Sequence, residues 1–460
     1  MVATRDEVDE LLDAAMAHST AEQTEVLYFG EDSALTRFAN SQIHQNVRQH
    51  DRSVQVRVVD RQRIGVASTN RLDEAGLRDV VQSAVSIAER SAPNPQAAVL
   101  PTMASPPAAE GSGYVAATAE ADPEQRAAGA RAVIAAGVAQ RLIVSGSFSN
   151  GSSTLAVSNS HGVRARQRTT RASLLTVMLD SYESGAASGY AHAGSTDIGS
   201  IDAEAVGVEA ADKGVRSRGA TELEPGEYEV VLEEYAVATI LEYLAYVGFS
   251  ALAYEEGRSF MELGERVMGE NVTIWDDGSD ATGLPSPIDF EGVAKERVDL
   301  IHDGIATAVV HDAATAARAG TSSTGHALPA PNTWGPMPLN LFMRPGDSTR
   351  EQLLSGMERG IWVTRFHYVN PVHPKKAILT GMTKDGTFLV EHGQIVRPVI
   401  NFRFTQSMPE AFSSVLALTA DTKLLPGEYV GGYRVPAVRL GRFNFTGASM
   451  RERAGEDGGP

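Results

Sequence analysis

Residues 236–254 form an almost wholly apolar run, Ala236-Val-Ala-Thr-Ile-Leu-Glu-Tyr-Leu-Ala-Tyr-Val-Gly-Phe-Ser-Ala-Leu-Ala-Tyr254, with Glu242 near its middle. A run of this kind must either cross a membrane or be buried in protein. A spanning helix needs roughly 20 apolar residues, and a carboxylate at its centre costs a few kcal/mol. Five alanines and Gly248 also leave the segment weakly hydrophobic. The run is therefore expected to be a buried helix, from about Glu234 to Ala251. At 100° per residue Tyr235, Ala238, Glu242, Tyr246 and Phe249 share one face, and Val237, Ile240, Leu241, Leu244 and Val247 form most of the other. An unpaired buried charge costs several kcal/mol, so the Glu242 face is expected to line a cleft and the aliphatic face to enter the core.

A helix of this type needs a large core around it, and the chain can supply one. Its 460 residues are 42% hydrophobic and 21% charged. That length exceeds one ordinary domain. The net charge of −18 repels phosphate backbones, so nucleic acid is not an expected partner. Lysine is scarce: Lys213, Lys295, Lys375, Lys376, Lys384 and Lys423 are all of it. With no cysteine, disulfides, thiolate nucleophiles, iron–sulfur clusters and Cys-ligated zinc are excluded. The first residues follow a polar helix pattern with no apolar segment and cleavage site, so a cytoplasmic location is expected.

The pattern on either side of the apolar run is α+β. Helical spacing covers Asp6–Ala17 and Leu72–Arg90. Between them Val54, Val56 and Val58 alternate with polar residues as in a half-buried strand, Val26–Phe29 is a second strand, and Gly65–Ser68 is a hairpin partner. Residues 91–113 are rich in Pro, Ala and Ser and read as a surface connection. Asp122-Pro123-Glu124 places an N-cap, a first-turn proline and an acid at a helix start. Strands at Leu142–Ser149, Thr154–Asn159 and Thr169–Asp180 are expected, joined by turns at Asn150-Gly151 and His161-Gly162. A helix from Asp202 to Arg218 completes an N-terminal α/β domain, residues 1–221, with antiparallel strands and flanking helices. Residues 222–449 read as a β-rich domain with one apolar helix. Its turns are Asp303-Gly304, Asp385-Gly386 and His392-Gly393. Residues 450–460 read as a disordered tail.

No complete catalytic constellation stands out. There is no Walker A loop, no Gly-x-Ser-x-Gly elbow and no His-Glu-x-x-His. Gly111-Ser-Gly113-Tyr-Val-Ala116 imitates a dinucleotide fingerprint but follows a linker rather than a strand. His44 and His50, six apart in a strand, would stand roughly 20 Å from each other, too far for one ion. His367 and His373 have the same spacing, but Pro371 lets the chain bend, and with His326 they could converge on a shared metal. The alternative is that His367 packs in a strand and His326 in a Gly-rich loop.

Several stretches together resemble the TldD/PmbA family of metallopeptidase-related proteins. They are residues 53–70 (Ser-Val-Gln-Val-Arg-Val-Val-Asp-Arg-Gln-Arg-Ile-Gly-Val-Ala-Ser-Thr-Asn), Arg258-Ser-Phe260, Leu263-Gly-Glu265, Trp362-Val-Thr-Arg-Phe-His-Tyr-Val-Asn370, Leu379-Thr-Gly-Met-Thr-Lys-Asp-Gly-Thr387 and Ile395-Val-Arg-Pro-Val-Ile-Asn401. The resemblance runs from about residue 20 to 449 and implies an N-terminal α/β domain followed by a β-rich one. It also implies zinc chemistry in the TldD-type members, which carry His-Glu-x-x-x-His on a helix and a late cysteine. Two imidazoles and a thiolate hold the metal, and the Glu is general base for bound water. Anchored on Tyr228–Leu232 and Ser259-Phe260, that motif falls at Glu242–Val247 here. Glu242 and Val247 replace the histidines, and Tyr243 replaces the base. The cysteine's region falls at Gly427–Gly432 without a thiol.

The departure resembles the PmbA/TldE type. That resemblance implies a non-catalytic subunit with no metal or cofactor of its own. It would pair with a TldD-type chain that holds the zinc, and help enclose an unfolded or extended peptide. Tyr235, Glu242, Tyr246, Phe249, Arg365, His367 and Tyr368 are the expected cleft residues. The alternative is a stand-alone or homodimeric peptide-binding or regulatory protein of the same fold. A third reading is an independent hydrolase. The label "modulator of DNA gyrase" also attaches to the family, but nothing basic or aromatic here supports DNA contact.

Overall fold

The structure is a computed structural model that describes residues 4–95, 99–102, 113–183, 185–427 and 431–448. The tail at 450–460 and Gly111 and Ser112 of the false fingerprint lie outside the described residues, as do parts of the 91–113 connection and of the Gly427–Gly432 segment. The fold is α+β.

The first half is a six-stranded antiparallel sheet in the order β3-β2-β1-β4-β5-β6. Its strands are β1 (Gln23–Ala39), β2 (Gln42–Asp60), β3 (Arg63–Thr69), β4 (Ile143–Asn159), β5 (Arg164–Leu179) and β6 (Ser188–Ser195). Helices α1 (Arg5–Ala17) and α2 (Glu74–Arg90) cover one end of one face, where Val54, Val56 and Val58 are fully buried among them. The short α3 (Ala116–Ala119), α4 (Pro123–Ala139) and α5 (Ala203–Arg216) follow. Asp122 caps α4 through the Gln125 amide and Asp202 caps α5 through the Ala205 amide. The last two helices pack on Phe148, Leu174 and Met178 of the same sheet face. The opposite face is left for the second half of the chain.

Asn150-Gly151, expected as a turn, lies inside the single continuous strand β4. Asn150 is buried there because its side chain has internal partners. Its Oδ1 accepts from Arg126 Nη1 at 2.6 Å, and its Nδ2 donates to the Thr118 carbonyl at 2.6 Å. Gly151 permits a close approach, since a Cβ would lie 2.6 Å from the Asp32 carbonyl of β1. The pair has the composition of a turn but the duties of a buried strand.

The second half is an eleven-stranded sheet. Its strands are β7 (Gly226–Leu232), β8 (Ile274–Asp276), β9 (Val298–His302), β10 (Ile305–Ala306), β11 (Asn340–Met343), β12 (Arg359–His373), β13 (Ile378–Glu391), β14 (Gln394–Pro398), β15 (Phe402–Ser407), β16 (Val415–Pro426) and β17 (Gly432–Ala448). Strands β7, β12, β13, β15 and β17 close on one another, because β17 pairs with β7 as well as with β15. Phe366, Phe402, Phe404, Phe443 and Phe445 pack together in this ring of strands. Asp303-Gly304 and His392-Gly393 turn β9 into β10 and β13 into β14. Asp385-Gly386 does not make a hairpin. It forms a bulge within β13, where the pairing slips between Val363–Thr387 and Arg365–Lys384. Both residues have positive φ, 56° and 130°, and the bulge turns the Asp385 carboxylate inward to Ser188 and Arg365.

The apolar run becomes helix α6 (Glu234–Val247), seated chiefly on β12 and β17, and ten of its fourteen residues are buried. It is shorter than the pattern suggested. Gly248 leaves helical geometry, and a separate turn of helix follows from Ala251. Among the described residues no helix is long and apolar enough to cross a membrane.

The strand assignment of Asn150 has a measurable consequence. Replacing Asn150 with Ala removes an acceptor from the buried Arg126 guanidinium, and a buried charged donor left short costs about 1–3 kcal/mol or more. The urea midpoint should fall accordingly. An unchanged midpoint would restore the exposed-turn reading.

Candidate functional site

The free face of the first sheet looks across a trough at the second half. Two adjoining cavities occupy it, of about 750 and 350 Å³. The floor comes from alternate residues of β4, β5 and β6: Ser147, Ser149, Ser153, Thr169, Arg171, Ser173 and His192. The two-residue period of these strands sends Phe148, Leu174 and Met178 to the helices and the hydroxyls to the trough. The far wall of the larger cavity comes from α6 and β12. It presents Tyr235, Ala238, Thr239, Glu242, Tyr243, Arg365, His367 and Tyr368.

A charge network holds the two halves together behind this wall. Glu233, which caps α6, is almost completely buried. Its carboxylate accepts from Lys213 Nζ at 2.7 Å, Trp362 Nε1 at 2.6 Å and Thr364 Oγ1 at 3.0 Å. Lys213 lies on α5 and also binds Glu209 at 2.7 Å, and Lys423 of β16 binds Glu209 at 2.8 Å. The Tyr235 hydroxyl donates to Glu209 at 3.0 Å, with the Lys213 and Lys423 ammonium groups 4.8 and 4.5 Å from its ring. Arg350 pairs with the next acid, Glu234, at 2.6 Å. Burial opposes ionisation of Glu209, but Lys213 and Lys423 outweigh it and hold its carboxyl at about 2. Burial also disfavours the Glu233 carboxylate, and Lys213 and Arg350 outweigh it.

His192 sits on the floor with its Nε2 2.8 Å from Ser173 Oγ. Burial, reinforced by the cations Arg171 and Lys423, drives its imidazole down to about 3. It is therefore neutral at physiological pH, a hydrogen-bonding group rather than a cation. Arg365 lies over the Tyr190 ring at 4.4 Å and pairs with Asp385.

Six of the seven residues expected in the cleft fall on α6 or β12, and five of these line it: Tyr235, Glu242, Arg365, His367 and Tyr368. Tyr246 packs against Trp334, with ring centroids 4.5 Å apart, and is not among the lining residues. Phe249 is fully buried against Phe260. The helix stops at Val247, so the 100° phase that would have put Phe249 beside Glu242 no longer applies. His326 is sealed with Asp276 at 2.9 Å, His373 lies at the exposed end of β12, and neither joins His367. Six participants were not read from the sequence: Arg171, Ser173, His192, Glu209, Lys213 and Lys423. The lysines carried a faint signal, since they are two of only six in the chain.

The motif positions do not fit a zinc ion. Val247 has no donor atom and is buried in the core. The Tyr243 hydroxyl donates to the Val369 carbonyl at 2.5 Å. Glu242 is hydrogen-bonded to Tyr433. Among the described residues no group of three or more His, Asp or Glu is placed to hold a metal. What the geometry presents is a polar trough with one aromatic wall.

An α+β scaffold with this cleft defines a TldE-like fold. TldE from Thermococcus kodakarensis matches with a TM-score of 0.86 at 17% identity, covering 96% of this chain and 100% of that one. Family models described as PmbA/TldA metallopeptidase domain 1, central domain and C-terminal domain match residues 24–88, 114–218 and 225–447. The chain belongs to the PmbA/TldD family of metallopeptidase-related proteins. It is 28% identical over 284 residues to a metalloprotease of Methanothermobacter thermautotrophicus, 59% of this chain and 61% of that protein. It is 25% identical over 403 residues to the metalloprotease PmbA of Escherichia coli O157:H7, 85% of this chain and 86% of that one. The chain thus spans less than two thirds of the first relative's length and most of the second's.

The buried groups set a pH dependence. His192 and Glu209 both bind protons more weakly in the folded chain than unfolded, where they titrate near 6.5 and 4.5. Protonation therefore favours unfolding. Their contribution is fully present above pH 6.5. His192's share is lost as the pH falls toward 3, and Glu209's as it falls from 4.5 toward 2. Glu291 and Asp289, raised by burial to about 8 and about 6, act in the opposite sense, so the expected effect is differential: His192→Gln should lose less melting temperature than the wild-type chain between pH 6.5 and 3. Identical profiles for the two proteins would contradict the burial of His192.

Proposed function

We propose that this chain is a non-catalytic, PmbA/TldE-like subunit of a TldD/TldE-type zinc metallopeptidase complex, acting on unfolded or extended peptides. The observation that carries the reading is the condition of α6. The positions that hold metal ligands and base in TldD-type chains are here committed to packing and internal hydrogen bonds, while the trough beside them stays open. Zinc and its activated water belong to the partner. This chain's residues shape and hold. The hydroxyl floor and the neutral His192 offer hydrogen bonds to a peptide backbone without demanding a sequence. Tyr243 and Tyr368 provide an amphipathic wall, and the Glu233 network keeps wall and floor in register. The division is physically economical, because a peptide cleft needs two walls and only one needs a metal. The seat is the cytoplasm in this reading.

The chain alone should cleave no unfolded protein above background and should hold no stoichiometric zinc by metal analysis. Mixed with a TldD-type chain from the same organism, peptide cleavage should appear. It should vanish when the partner's motif Glu is changed to Gln, because the zinc-bound water then lacks its base. Tyr243→Phe here should change cleavage far less. Chelator-insensitive hydrolysis by the isolated chain would instead establish an independent enzyme. No activity in any mixture, with no partner in a pull-down, would favour a stand-alone or homodimeric binding protein.

A further inference from the structure

The trough floor contains a cation, Arg171, that no described carboxylate pairs. Arg171, at the middle of β5, lines both cavities where they meet. Its guanidinium carries five N–H donors, and among the described residues it makes one hydrogen bond, from Nη2 to the Gly427 carbonyl at 3.1 Å. No described carboxylate stands within ion-pair distance of it.

The other cations at the trough have partners. Arg365 is held by Asp385 and Lys423 by Glu209, while Lys295 has no carboxylate in direct contact but donates to Asn340 Oδ1 at 2.9 Å and feels Asp276 and Asp289 through space. The acids nearest Arg171 do not reach it. Glu31, at the edge of the smaller cavity, acts on it only through space, and Glu242 is engaged by Tyr433. Its floor neighbours are the neutral Thr169, Ser173 and His192. Burial lowers the proton affinity of the guanidinium, so the charge sits where water screens it poorly and an arriving anion interacts strongly.

We infer that Arg171 is the carboxylate-binding residue of the trough, receiving a carboxylate of the peptide held there. The inference rests on the reading of the trough as a peptide cleft and adds the group that recognises the peptide's charge. The planar fork of a guanidinium matches a carboxylate with two parallel N–H···O bonds. Ser173 and Thr169 stand beside it as neutral donors. A dianionic phosphate fits less well, because Glu31 and Glu242 line the trough with Arg171 in a chain of net charge −18. The carboxylate has two sources in a peptide, its C-terminus or an acidic side chain.

Three dansyl-labelled alanine-rich octapeptides, whose label has no carboxylate, distinguish these sources: a free acid, its C-terminal amide, and the amide with one internal Glu. Each is titrated with the full chain and followed by anisotropy. At least one carboxylate-bearing peptide should bind about tenfold more tightly than the plain amide, as expected for a charge-assisted hydrogen-bonded pair. Which one does so identifies the source. Arg171→Gln should erase the difference, and Arg171→Lys should keep part of it. The advantage should also shrink as salt rises. Equal binding of all three peptides by the wild-type chain would overturn the role of Arg171 while leaving the peptide cleft intact. Binding of none would overturn both. The wild-type comparison does not depend on the variants folding. An undiminished difference in a folded Arg171→Gln chain would place the carboxylate elsewhere.

Discussion

Everything in the arrangement of the trough depends on the burial of one carboxylate. Glu233 stands where β7 gives way to α6, and it is 1% exposed. A carboxylate in that position is tolerable only if paired and hydrogen-bonded, because desolvation alone costs several kcal/mol. The partners come from three places in the chain. Lys213 belongs to α5 of the first half, Trp362 and Thr364 belong to β12, and Arg350 approaches from the segment before β12. Satisfying this one group fixes the start of α6, the direction of β12 and the position of α5 against both. Glu209, Lys423 and Tyr235 extend the same logic to β16 and to the edge of the cleft. A second tie, Asp385 with Ser188 and Arg365, secures β6 against β12.

These ties help a trough stay open between two halves that bury most of their apolar residues separately. Two hydrophobic clusters of the first sheet lie on its helical side, the large cluster of the second half lies around α6 and the ring of strands, and one small cluster, Leu27, Leu155, Val157 and Ala165 with Ile288, joins the facing sides. Beyond that small cluster, little apolar surface joins the facing sides. Polar ties at the margins hold the halves at a set spacing and leave the hydroxyl floor unfilled. Buried ion pairs contribute little net stability compared with apolar packing but fix geometry when well satisfied. That trade suits a wall whose purpose is to present a surface.

Much of the fold was legible because its signals are local. The alternation at Val54, Val56 and Val58, the Asp122-Pro123 helix start and the Asp303-Gly304 turn each depend on residues close in sequence. The errors arose where a local signal served a distant partner. Asn150-Gly151 has turn composition, yet Asn150 answers to Arg126 and Thr118, and Gly151 to the backbone of β1. Asp385-Gly386 likewise bends a strand so that Asp385 can meet Ser188. For the site, the helix period brought out Tyr235 and Glu242, and the family resemblance brought out Arg365, His367 and Tyr368. Phe249 was misplaced because Gly248 interrupts the period. Arg171, His192 and Glu209 were invisible, since a strand or helix pattern shows which face a residue occupies but not what stands opposite.

The most direct test of this account is a double-mutant cycle on Lys213 and Glu233, read as unfolding free energy at pH 7. Lys213→Met takes the closest cation from a buried carboxylate, a loss of about 3–5 kcal/mol where an ion pair is truly buried, and Glu233→Gln, which leaves Lys213 paired with Glu209, should cost less. The double variant should cost clearly less than the sum, with a coupling of about 1–3 kcal/mol for groups in direct contact. Additive losses within about 0.5 kcal/mol, the behaviour of independent sites, would show that the pair does not clasp the halves together and would contradict the account.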